Sequence, residues 1–526
     1  MRINPASLFA LAGAATVSAL PAQNQGDSGG SDNPSCRFVF EWSQEMVLNN
    51  PDGFINDLLY WEGQFHQNNV SYNTENGMSY DGTQLDWVTG QRTEKHTFSA
   101  ASKEALQIML YTHAIAGSAQ AARFLTPNHP EAAPDFVVSI LELKLQTYLQ
   151  FNESYPGFGG FLPWFTSSTQ TISPVWNWVN QVPGLDNGEL LWAVYGCIQA
   201  LENTGNSRYL QLAKAWQNWL DYAKSNVAKV FYQGDGHVCS VTNIGNQTWT
   251  TIDPRQTYQC QDNGYLDDPY EGELFTFFVQ FFGGLSDEDI NQIWQAKAPQ
   301  LVKKEYHMGN VGPITVQEGY WFSSHETWKV MELPYYDVDL ISRLYENAER
   351  VRTCNSVVTK VPGMFASVNN STDPATNEII SYISNAGIPS VSNQTSQYLQ
   401  VITPYSTFPT ILFNKPVGLA WLRNMLLGKK MQNLYGSTES TRIDGTLVSA
   451  LVTWDSKVST VNAILGGVTQ WVRQKMQADG IYEEFIQYAT RAYSSVFTEL
   501  QGENVDFCLP DEGITDANLE DFTWCN

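Results

Sequence analysis

The sequence predicts an all-α protein, an α/α toroid in which an inner ring of helices is wrapped by an outer ring, with long loops and minor β structure around a cleft. Two observations support this prediction. Apolar residues recur at three- and four-residue spacing through most of the chain, as a helical period of 3.6 requires. Segments that are apolar on nearly every face alternate with amphipathic ones, as expected of inner helices covered by outer helices.

The clearest inner and outer helices follow each other directly. Residues 188–202 (GELLWAVYGCIQALE) are apolar almost all round, which predicts a buried helix. After the turn at 203–207 (NTGNS), residues 209–228 are amphipathic, which predicts an outer helix. The same spacing predicts helices in these further segments: 104–125, 134–151, 269–283, 286–303, 324–349, 417–429, 459–478 and 481–501.

Two stretches are not predicted to be helical. Residues 50–90 and 355–415 are rich in Asn, Ser, Gly, Pro and Tyr, which is typical of long loops or short strands that build the walls of a cleft. We find neither a second linker nor a clean internal repeat. Residues 35–526 are therefore predicted to form one catalytic domain, although the length alone would allow several.

The N-terminus has the pattern of a signal peptide. Arg2 precedes a short apolar stretch at residues 8–20, and small residues at 17–19 offer a cleavage site. We therefore predict a signal peptide at residues 1–19 and a flexible polar linker at residues 20–34. No later segment reaches the roughly 18 apolar residues that span a bilayer. The expected protein is secreted and does not contact a membrane.

Sequons support export. Each is an Asn-X-Ser/Thr acceptor site for glycosylation, and together with the signal peptide they indicate a eukaryotic glycoprotein. Because Asn369 and Asn370 overlap, we expect one of these two to be used, and we take Asn370. The predicted glycosylation sites are Asn69, Asn152, Asn246, Asn370 and Asn393.

The chain has 7 cysteines, so at least one is unpaired. Cys197 lies in the predicted inner helix and is expected to be a buried free thiol. The other cysteines are expected to pair, two pairs by proximity and the third by elimination, as Cys508–Cys525, Cys239–Cys260 and Cys36–Cys354. Neither a CxxC pair nor a close Cys/His cluster occurs, so we expect no metal site.

Composition indicates a neutral partner. The formal net charge is −25, and charged residues make up only 16% of the chain. A strongly acidic surface repels nucleic acid, anionic lipid and acidic polysaccharides. The 17 Trp, 25 Tyr and 26 Phe are mostly core residues, but aromatic rings also pack on the apolar faces of pyranoses. We therefore expect the chain to bind a neutral polysaccharide. The expected oligomeric state is a monomer.

Cleavage of a glycosidic bond requires two carboxyl groups, one protonated and one ionised. Residues 266–273 (LDDPYEGE) place Asp267, Asp268, Glu271 and Glu273 close together, and mutual repulsion with partial burial would raise the pKa of one of them. Asp268 followed by proline, with Glu271 three residues on, is also a capping box. The residues alone leave both roles of Glu271 open.

A second carboxylate candidate is Asp455 in residues 453–456 (TWDS), which follow the apolar run 447–452. An aspartate in this position is also typical of a helix N-cap. Asp444 in residues 442–445 (RIDG) competes with it, although Asp-Gly is a common turn.

Three segments hold candidate substrate contacts. Residues 176–189 lie at the mouth of the clearest inner helix, residues 320–328 combine rings with polar groups, and residues 77–83 form a Gly-rich loop. Each pattern is also compatible with packing or turn chemistry. The candidate substrate-binding residues are Trp176, Trp178, Asp186, Glu189, Trp321, His325, Glu326 and Trp328.

Other chemistries lack their motifs. The sequence contains no GxSxG elbow, no phosphate-binding Gly-Lys-Ser/Thr loop and no HExxH motif. Its 7 histidines are scattered. We expect neither a metal nor another cofactor.

Several long motifs resemble the fungal endo-β-1,2-glucanases, and they extend from residue 51 to residue 456. They are PDGFINDLLYW, NGMSYDGTQLDW, PGLDNGELLWAVYGCIQALE, YLDDPYEGELF, YWFSSHETWK and LVTWDS. The resemblance implies an (α/α)6 toroid that needs no metal. It also implies endo-hydrolysis of linear β-1,2-glucan to short sophoro-oligosaccharides with inversion.

The same resemblance implies roles for individual residues. Glu271 matches the general acid and Asp455 the general base, with Glu273 and Asp444 as the alternatives if the register is shifted. In this family protons are thought to pass through a substrate hydroxyl and through water. The separation of the two carboxyl groups therefore need not match the roughly 6.5–9.5 Å usual for inverting enzymes.

Three rival functions remain at this stage. Another (α/α)6 hydrolase acting from chain ends would release one small sugar from the start. A polysaccharide lyase would act on uronates and usually needs basic residues or calcium, which fits poorly with 29 basic residues in a chain of net charge −25. A non-enzymatic secreted glycan-binding protein would release no reducing ends.

Overall fold

Helices dominate the chain. The computed structural model describes residues 34–366, 368–369, 372–373, 375–383, 386–395, 401–516 and 519–522. Within these residues the α-helices are α1 (Gln44–Asn49), α2 (Asp52–Gly63), α3 (Ala101–Ile115), α4 (Ala119–Leu125), α5 (Ala133–Ser154), α6 (Gly184–Asn203), α7 (Ser207–Phe231), α8 (Glu273–Phe282), α9 (Asp287–Lys297), α10 (Asp339–Val358), α11 (Phe408–Phe413), α12 (Lys415–Leu426), α13 (Trp454–Leu465), α14 (Thr469–Asp479) and α15 (Tyr482–Ser494).

Short strands form small sheets of two or three strands between the helices. The pairings between the strands of these sheets are antiparallel. The strands are β1 (Gly82–Leu85), β2 (Arg92–His96), β3 (Phe98–Ser99), β4 (Phe165–Thr166), β5 (Ser173–Pro174), β6 (Gln181–Pro183), β7 (Val241–Ile244), β8 (Tyr258–Cys260), β9 (Lys303–Met308), β10 (Val311–Gln317), β11 (Val368–Asn369), β12 (Tyr382–Ile383), β13 (Val401–Ile402), β14 (Gln432–Asn433), β15 (Gly436–Ser437), β16 (Ser440–Arg442), β17 (Val448–Ser449) and β18 (Leu451–Thr453).

The inner ring is formed by α3, α6, α8, the 3-10 helix Ser324–Met331, α11 and α13, each packed against the next. Every residue of α3 is buried, whereas α7 buries one face only, as inner and outer helices should. A Cβ on Gly188 of α6 would lie 2.7 Å from the backbone nitrogen of Phe275 in α8, so glycine permits this close approach. The predicted (α/α)6 toroid is confirmed.

Several predicted boundaries were wrong. Residues 50–90 contain α2, because the apolar residues Phe54, Ile55, Leu58 and Leu59 keep helical spacing and are buried. The segment 104–125 divides into α3 and α4, and 459–478 divides between α13 and α14. Glycines with positive φ mark both breaks, at Gly117 and at Gly466 with Gly467. The segment 324–349 is a 3-10 helix followed by α10.

Cysteine pairing was predicted in part. The Cys239–Cys260 bridge is confirmed, and Cys197 is a buried free cysteine, as predicted. The structure pairs Cys354 with Cys508, which overturns both Cys508–Cys525 and Cys36–Cys354. Cys36 is also disulfide-bonded, and Cys525 lies outside the described residues. The Cys354–Cys508 bridge spans 154 residues, so sequence proximity gave no signal for it.

Among the predicted glycosylation sites, Asn69 and Asn393 are exposed, and Asn152 and Asn246 are partly buried. Asn370 lies outside the described residues, as do residues 1–33 with the predicted signal peptide and most of the linker. Glycosylation therefore stays a prediction. None of the described helices is long and apolar enough to cross a membrane.

Candidate active site

Functional side chains gather where inner helices begin. Lys103 lies in the first turn of α3, Asp186 in the first turn of α6 and Asp455 in the first turn of α13. Glu271 immediately precedes α8. The ring arrangement thus brings residues that are far apart in sequence to one end of the toroid.

A strand pairing places Asp81 beside Asp455. Strands β1 and β18 are antiparallel with Gly82 opposite Thr453, and the backbone N–H of Trp454 donates to the Asp81 carbonyl at 3.2 Å. A Cβ on Gly82 would lie only 2.2 Å from the Val452 carbonyl oxygen, so glycine is required for this approach. The side chain of Thr453 caps α13, which corrects the N-cap interpretation of Asp455 and leaves that carboxylate available to other partners.

Lys103 joins these two carboxylates. Its Nζ lies 2.8 Å from Asp455 Oδ2 and 3.8 Å from Asp81 Oδ1. The other Asp81 oxygen, Oδ2, lies 3.3 Å from Nδ1 of His96. The Asp455 side chain is 28% exposed, so the ion pair is open to solvent on the Asp455 side.

Glu271 has a different environment. Its side chain is 16% exposed, and Oε1 lies 3.8 Å from Nε2 of His325. Oε2 is buried and has no hydrogen-bond partner among the described residues. Burial raises the pKa of Glu271 well above its ordinary value, the charges of Asp268, Glu326 and Asp186 add to this effect, and Lys329 opposes it. This environment therefore favours the protonated form of the carboxyl group.

The capping-box interpretation of Glu271 was wrong. Helix α8 begins at Glu273, four residues later than a capping box with Asp268 as its N-cap would require, and its N-cap is Gly272. Asp268 Oδ1 instead accepts a hydrogen bond of 3.0 Å from the backbone N–H of Tyr270, which closes a turn before the helix. Glu271 thus lies in a loop, with its carboxyl group unused by the helix end.

Two buried lysines donate hydrogen bonds to the backbone carbonyls of this loop. Lys297 Nζ donates to the carbonyls of Leu266 at 2.8 Å and Asp268 at 2.5 Å. Lys329 Nζ donates to the Pro269 carbonyl at 2.7 Å and to Glu273 Oε2 at 2.5 Å. Glu273, the alternative acid, is therefore committed to a buried ion pair.

Glu271 and Asp455 act on a common set of side chains, which includes His325 and Tyr405 and which we call the pocket. Burial raises the pKa of Tyr405 well above its ordinary value, and the charges of Tyr382, Asp455, Glu439 and Glu271 add to the effect. Burial lowers the pKa of His325, beside Glu271, to about 4, so its ring is neutral at neutral pH.

A further carboxyl group close to Glu271 and Asp455 belongs to Glu189, which is 1% exposed and has an unpartnered Oε2 within the described structure. Burial raises its pKa well above the ordinary value, and Asp186, Glu332, Glu271 and Asp455 contribute in the same direction. This environment favours the neutral form of Glu189.

An aromatic platform borders the pocket. The rings of Trp164 and Trp178 stack at 5.8 Å with an interplanar angle of 9°, and Trp164 Nε1 donates to Asp186 Oδ2 at 3.0 Å. Trp176 beside them is 60% exposed and has a φ of 52°. An exposed tryptophan in the left-handed region is uncommon and points to a functional constraint.

The segment 320–328 divides between pocket and core. Glu326 accepts backbone N–H groups of Tyr320, Trp321 and Ser323, and so shapes the loop. Trp328 is fully buried. Of this segment's candidates, His325 contacts Glu271, while Glu326 and Trp328 are placed as loop and core residues.

Asp444, the alternative base, lies in the predicted Asp-Gly turn. Its side chain is 47% exposed, and Oδ1 accepts hydrogen bonds of 3.0 Å from the N–H and 2.7 Å from the hydroxyl of Thr446. Gly445 has a φ of 65°, as this turn requires.

Sequence reasoning missed Lys103, and it included Asp81 only within the candidate loop 77–83, without assigning a role to its side chain. A lysine within an apolar helix is an available signal, because lysine is almost never buried unless it is paired. The sequence did not indicate the partners of this lysine, because it is the pairing of β1 with β18 that brings the two aspartates together. Among the described residues, no group of three or more His, Cys, Asp or Glu side chains is placed to hold a metal ion.

An (α/α)6 toroid with carboxyl groups in the cleft is the architecture of a glycoside hydrolase, and the chain is one. The family model described as endo-beta-1,2-glucanase SGL matches residues 78–526. The chain belongs to this endo-β-1,2-glucanase family.

Solved structures agree with this assignment. An endo-β-1,2-glucanase from Talaromyces funiculosus in complex with sophorose is 67% identical with a TM-score of 0.93, and the match covers 94% of this chain and 100% of that one. A glutamate-to-glutamine mutant of the Talaromyces funiculosus enzyme, with β-1,2-glucan, matches with the same values. An endo-β-1,2-glucanase from Chitinophaga pinensis is 12% identical with a TM-score of 0.54 over 86% of this chain and 98% of its own, which shows the fold alone. Among curated proteins, none matches the chain.

Proposed function

We propose that this chain cleaves internal bonds of linear β-1,2-glucan to sophoro-oligosaccharides with inversion of configuration, using Glu271 as general acid and Asp455 as general base. One observation carries the proposal. A carboxyl group whose burial favours the protonated form and a lysine-paired carboxylate belong to the same pocket. Inverting hydrolysis needs this pair of protonation states.

The reaction balances with these two groups. The proton of Glu271 is transferred to the leaving glycosidic oxygen, while Asp455 accepts a proton from the water that attacks the anomeric carbon. The bond between the anomeric carbon and the glycosidic oxygen breaks as the bond to water forms. By resemblance, a substrate hydroxyl and water relay these protons, so neither carboxyl group needs to touch its reacting atom directly.

The relatives support the choice of substrate. The Talaromyces funiculosus structures hold sophorose and β-1,2-glucan, and at 67% identity the same substrate class is expected here. Trp176, Trp178, Asp186, Trp321 and His325 are proposed to contact the glucan, because they lie in or beside the pocket or its bordering loop.

We also propose that the protein acts outside the cell. Residues 1–19 would direct export and be removed, residues 20–34 would form a linker, and residues 35–526 would be the single catalytic domain. Disulfides at Cys239–Cys260 and Cys354–Cys508 fit an oxidising compartment. The active form is proposed to be a glycosylated monomer.

The substrate is tested by incubating the protein with β-1,2-, β-1,3-, β-1,4- and α-1,4-glucans and measuring new reducing ends. We expect efficient cleavage of β-1,2-glucan alone, with mixed short oligomers early in the reaction. Proton NMR of the first products should show the α-anomer, because inversion at a β-linkage produces it.

The rival functions give different results. Release of a single small sugar from the start would indicate an exo-acting hydrolase, and unsaturated products would indicate a lyase. Binding without new reducing ends would indicate a glycan-binding protein. Equal or greater activity on another linkage would contradict the proposed specificity.

Trp176→Ala should weaken substrate binding. If the exposed ring stacks on a glucosyl unit, its loss should raise KM about tenfold, equivalent to about 1.4 kcal/mol, with kcat near the parental value. Phe40→Ala is the matched control, since Phe40 is 58% exposed and lies in the N-terminal 3-10 helix Phe38–Glu41. Steady-state kinetics on β-1,2-glucan measure both, and an unchanged KM for Trp176→Ala would remove Trp176 from the binding site.

A further inference from the structure

Asp455 lies in a strongly acidic neighbourhood. Its charge raises the pKa of buried or partly buried carboxyl groups at Asp186 and Glu189 on α6 and at Glu439 before β16, although burial is the larger cause in each case. Its charge also acts on Tyr405 and Tyr382, and on His325 of the 3-10 helix Ser324–Met331. Asp81 lies across Lys103.

The positively charged group in this acidic neighbourhood is the ammonium of Lys103. Its side chain is 11% exposed, and Nζ lies 2.8 Å from Asp455 Oδ2. The ammonium also lies 5.7 Å from the centroid of the Trp164 ring, which limits its movement on a second side. The lysine is thus fixed between the aromatic platform and the two aspartates.

We propose that Lys103 is a positioning residue for hydrolysis, which keeps Asp455 ionised and fixes its Oδ2 atom so that the carboxylate is ready to accept a proton. This inference rests on the proposed role of Asp455 as the general base. Lys103 acts only through Asp455 and exchanges no proton with the substrate.

The physical reason is the balance of two opposing effects on one carboxyl group. Partial burial and nearby negative charges favour the protonated form of Asp455, whereas a cation in contact favours the ionised form. Without Lys103 the first effects act alone. Since a protonated aspartate accepts no proton, the loss of this cation should lower catalysis most at acidic pH.

Asp81 provides an internal contrast, because it competes with Asp455 for the same ammonium. Its carboxylate lies 3.8 Å from Lys103 Nζ, and it also pairs with His96, whose pKa the Asp81 hydrogen bond raises although burial opposes this. Loss of the Asp81 charge would leave Lys103 to pair with Asp455 alone. It would also remove a negative charge from the neighbourhood of Asp455. The two substitutions should therefore shift the ionisation of Asp455 in opposite directions.

The test compares pH profiles of kcat/KM on β-1,2-glucan for the full-length protein and its variants, because these profiles report ionisations of the free enzyme. Lys103→Met should move the acid limb to higher pH by at least about one unit, and the basic limb, assigned to Glu271, should stay in place. Asp81→Asn should move the acid limb to lower pH. Lys103→Arg should keep the parental acid limb with a reduced kcat, since the charge remains but its position changes.

The outcomes separate this inference from the proposed function. If Asp455→Asn kept parental activity, Asp455 would not be the base, and the proposed function itself would fail. If Asp455→Asn were inactive but Lys103→Met lowered activity equally at every pH, Lys103 would be merely structural and the inference overturned. If Lys103→Met failed to fold, the other two variants would still test the inference. It would be overturned if the acid limb of Asp81→Asn stayed at the parental pH, or if the acid limb of Lys103→Arg moved to higher pH.

Discussion

Glu271→Gln should lower kcat on β-1,2-glucan at least about 100-fold while the melting temperature stays close to that of the parent. Glutamine has nearly the shape of the protonated glutamic acid at this position but no transferable proton. Because burial already favours the neutral form of Glu271, the substitution should change the charge of the folded protein little. Kinetics and thermal unfolding of the same preparation measure both effects.

Glu273→Gln is the matched control, since it makes the same change two residues along the chain. Glu273 is 3% exposed and pairs with Lys329, which is fully buried, and it also accepts from the Tyr335 hydroxyl. Loss of this charge leaves Lys329 buried without its ionic partner, which typically costs about 3–5 kcal/mol of unfolding free energy. The control should therefore lose stability more than catalysis.

The reverse pattern would contradict the assignment. An active Glu271→Gln with an inactive, stable Glu273→Gln would move the general acid to Glu273. The pH profile gives a second check: activity should fall as pH rises through the raised pKa of Glu271, because the acid then loses its proton.

The ring architecture was readable from the sequence because helical periodicity is local. The burial of α6 on nearly every side and of α7 on one face follows from residue spacing alone. The missed helix α2 shows where composition misleads. Its sequence DGFINDLLYWEG begins with turn-forming residues, but four apolar side chains keep helical spacing and are buried.

The site was predicted less completely, because its geometry depends on contacts between distant segments. The sequence identified residues 266–273 as carboxylate-rich but left catalysis and capping open for Glu271. Helix α8 starts at Glu273, which excludes the capping role of Glu271. The loop before this helix is fixed by hydrogen bonds from Lys297 and Lys329 to its backbone carbonyls, and both lysines come later in the chain. The Cys354–Cys508 bridge was not predicted for the same reason, because it joins two segments that are distant in sequence.

Asp455→Asn should also lower kcat at least about 100-fold with little loss of stability. The cap of α13 is Thr453, so the helix end does not depend on the Asp455 carboxylate. Asparagine keeps the shape of the side chain but is far too weak a base to accept the proton of the attacking water. Its oxygen can still accept a hydrogen bond from Lys103, which should preserve the local structure.

Asp444→Asn provides the comparison for this second carboxylate. Asp444 accepts its hydrogen bonds from Thr446 in an exposed turn, and asparagine is equally suited to such a turn. Asp444→Asn should therefore keep near-parental kcat and melting temperature. Because this change removes one negative charge, as Asp455→Asn does, it controls for any general effect of net charge on substrate binding. If Asp444→Asn were the inactive variant and Asp455→Asn the active one, the base would belong to the β16–β17 turn, and the pocket shared by Glu271 and Asp455 would lose its catalytic role.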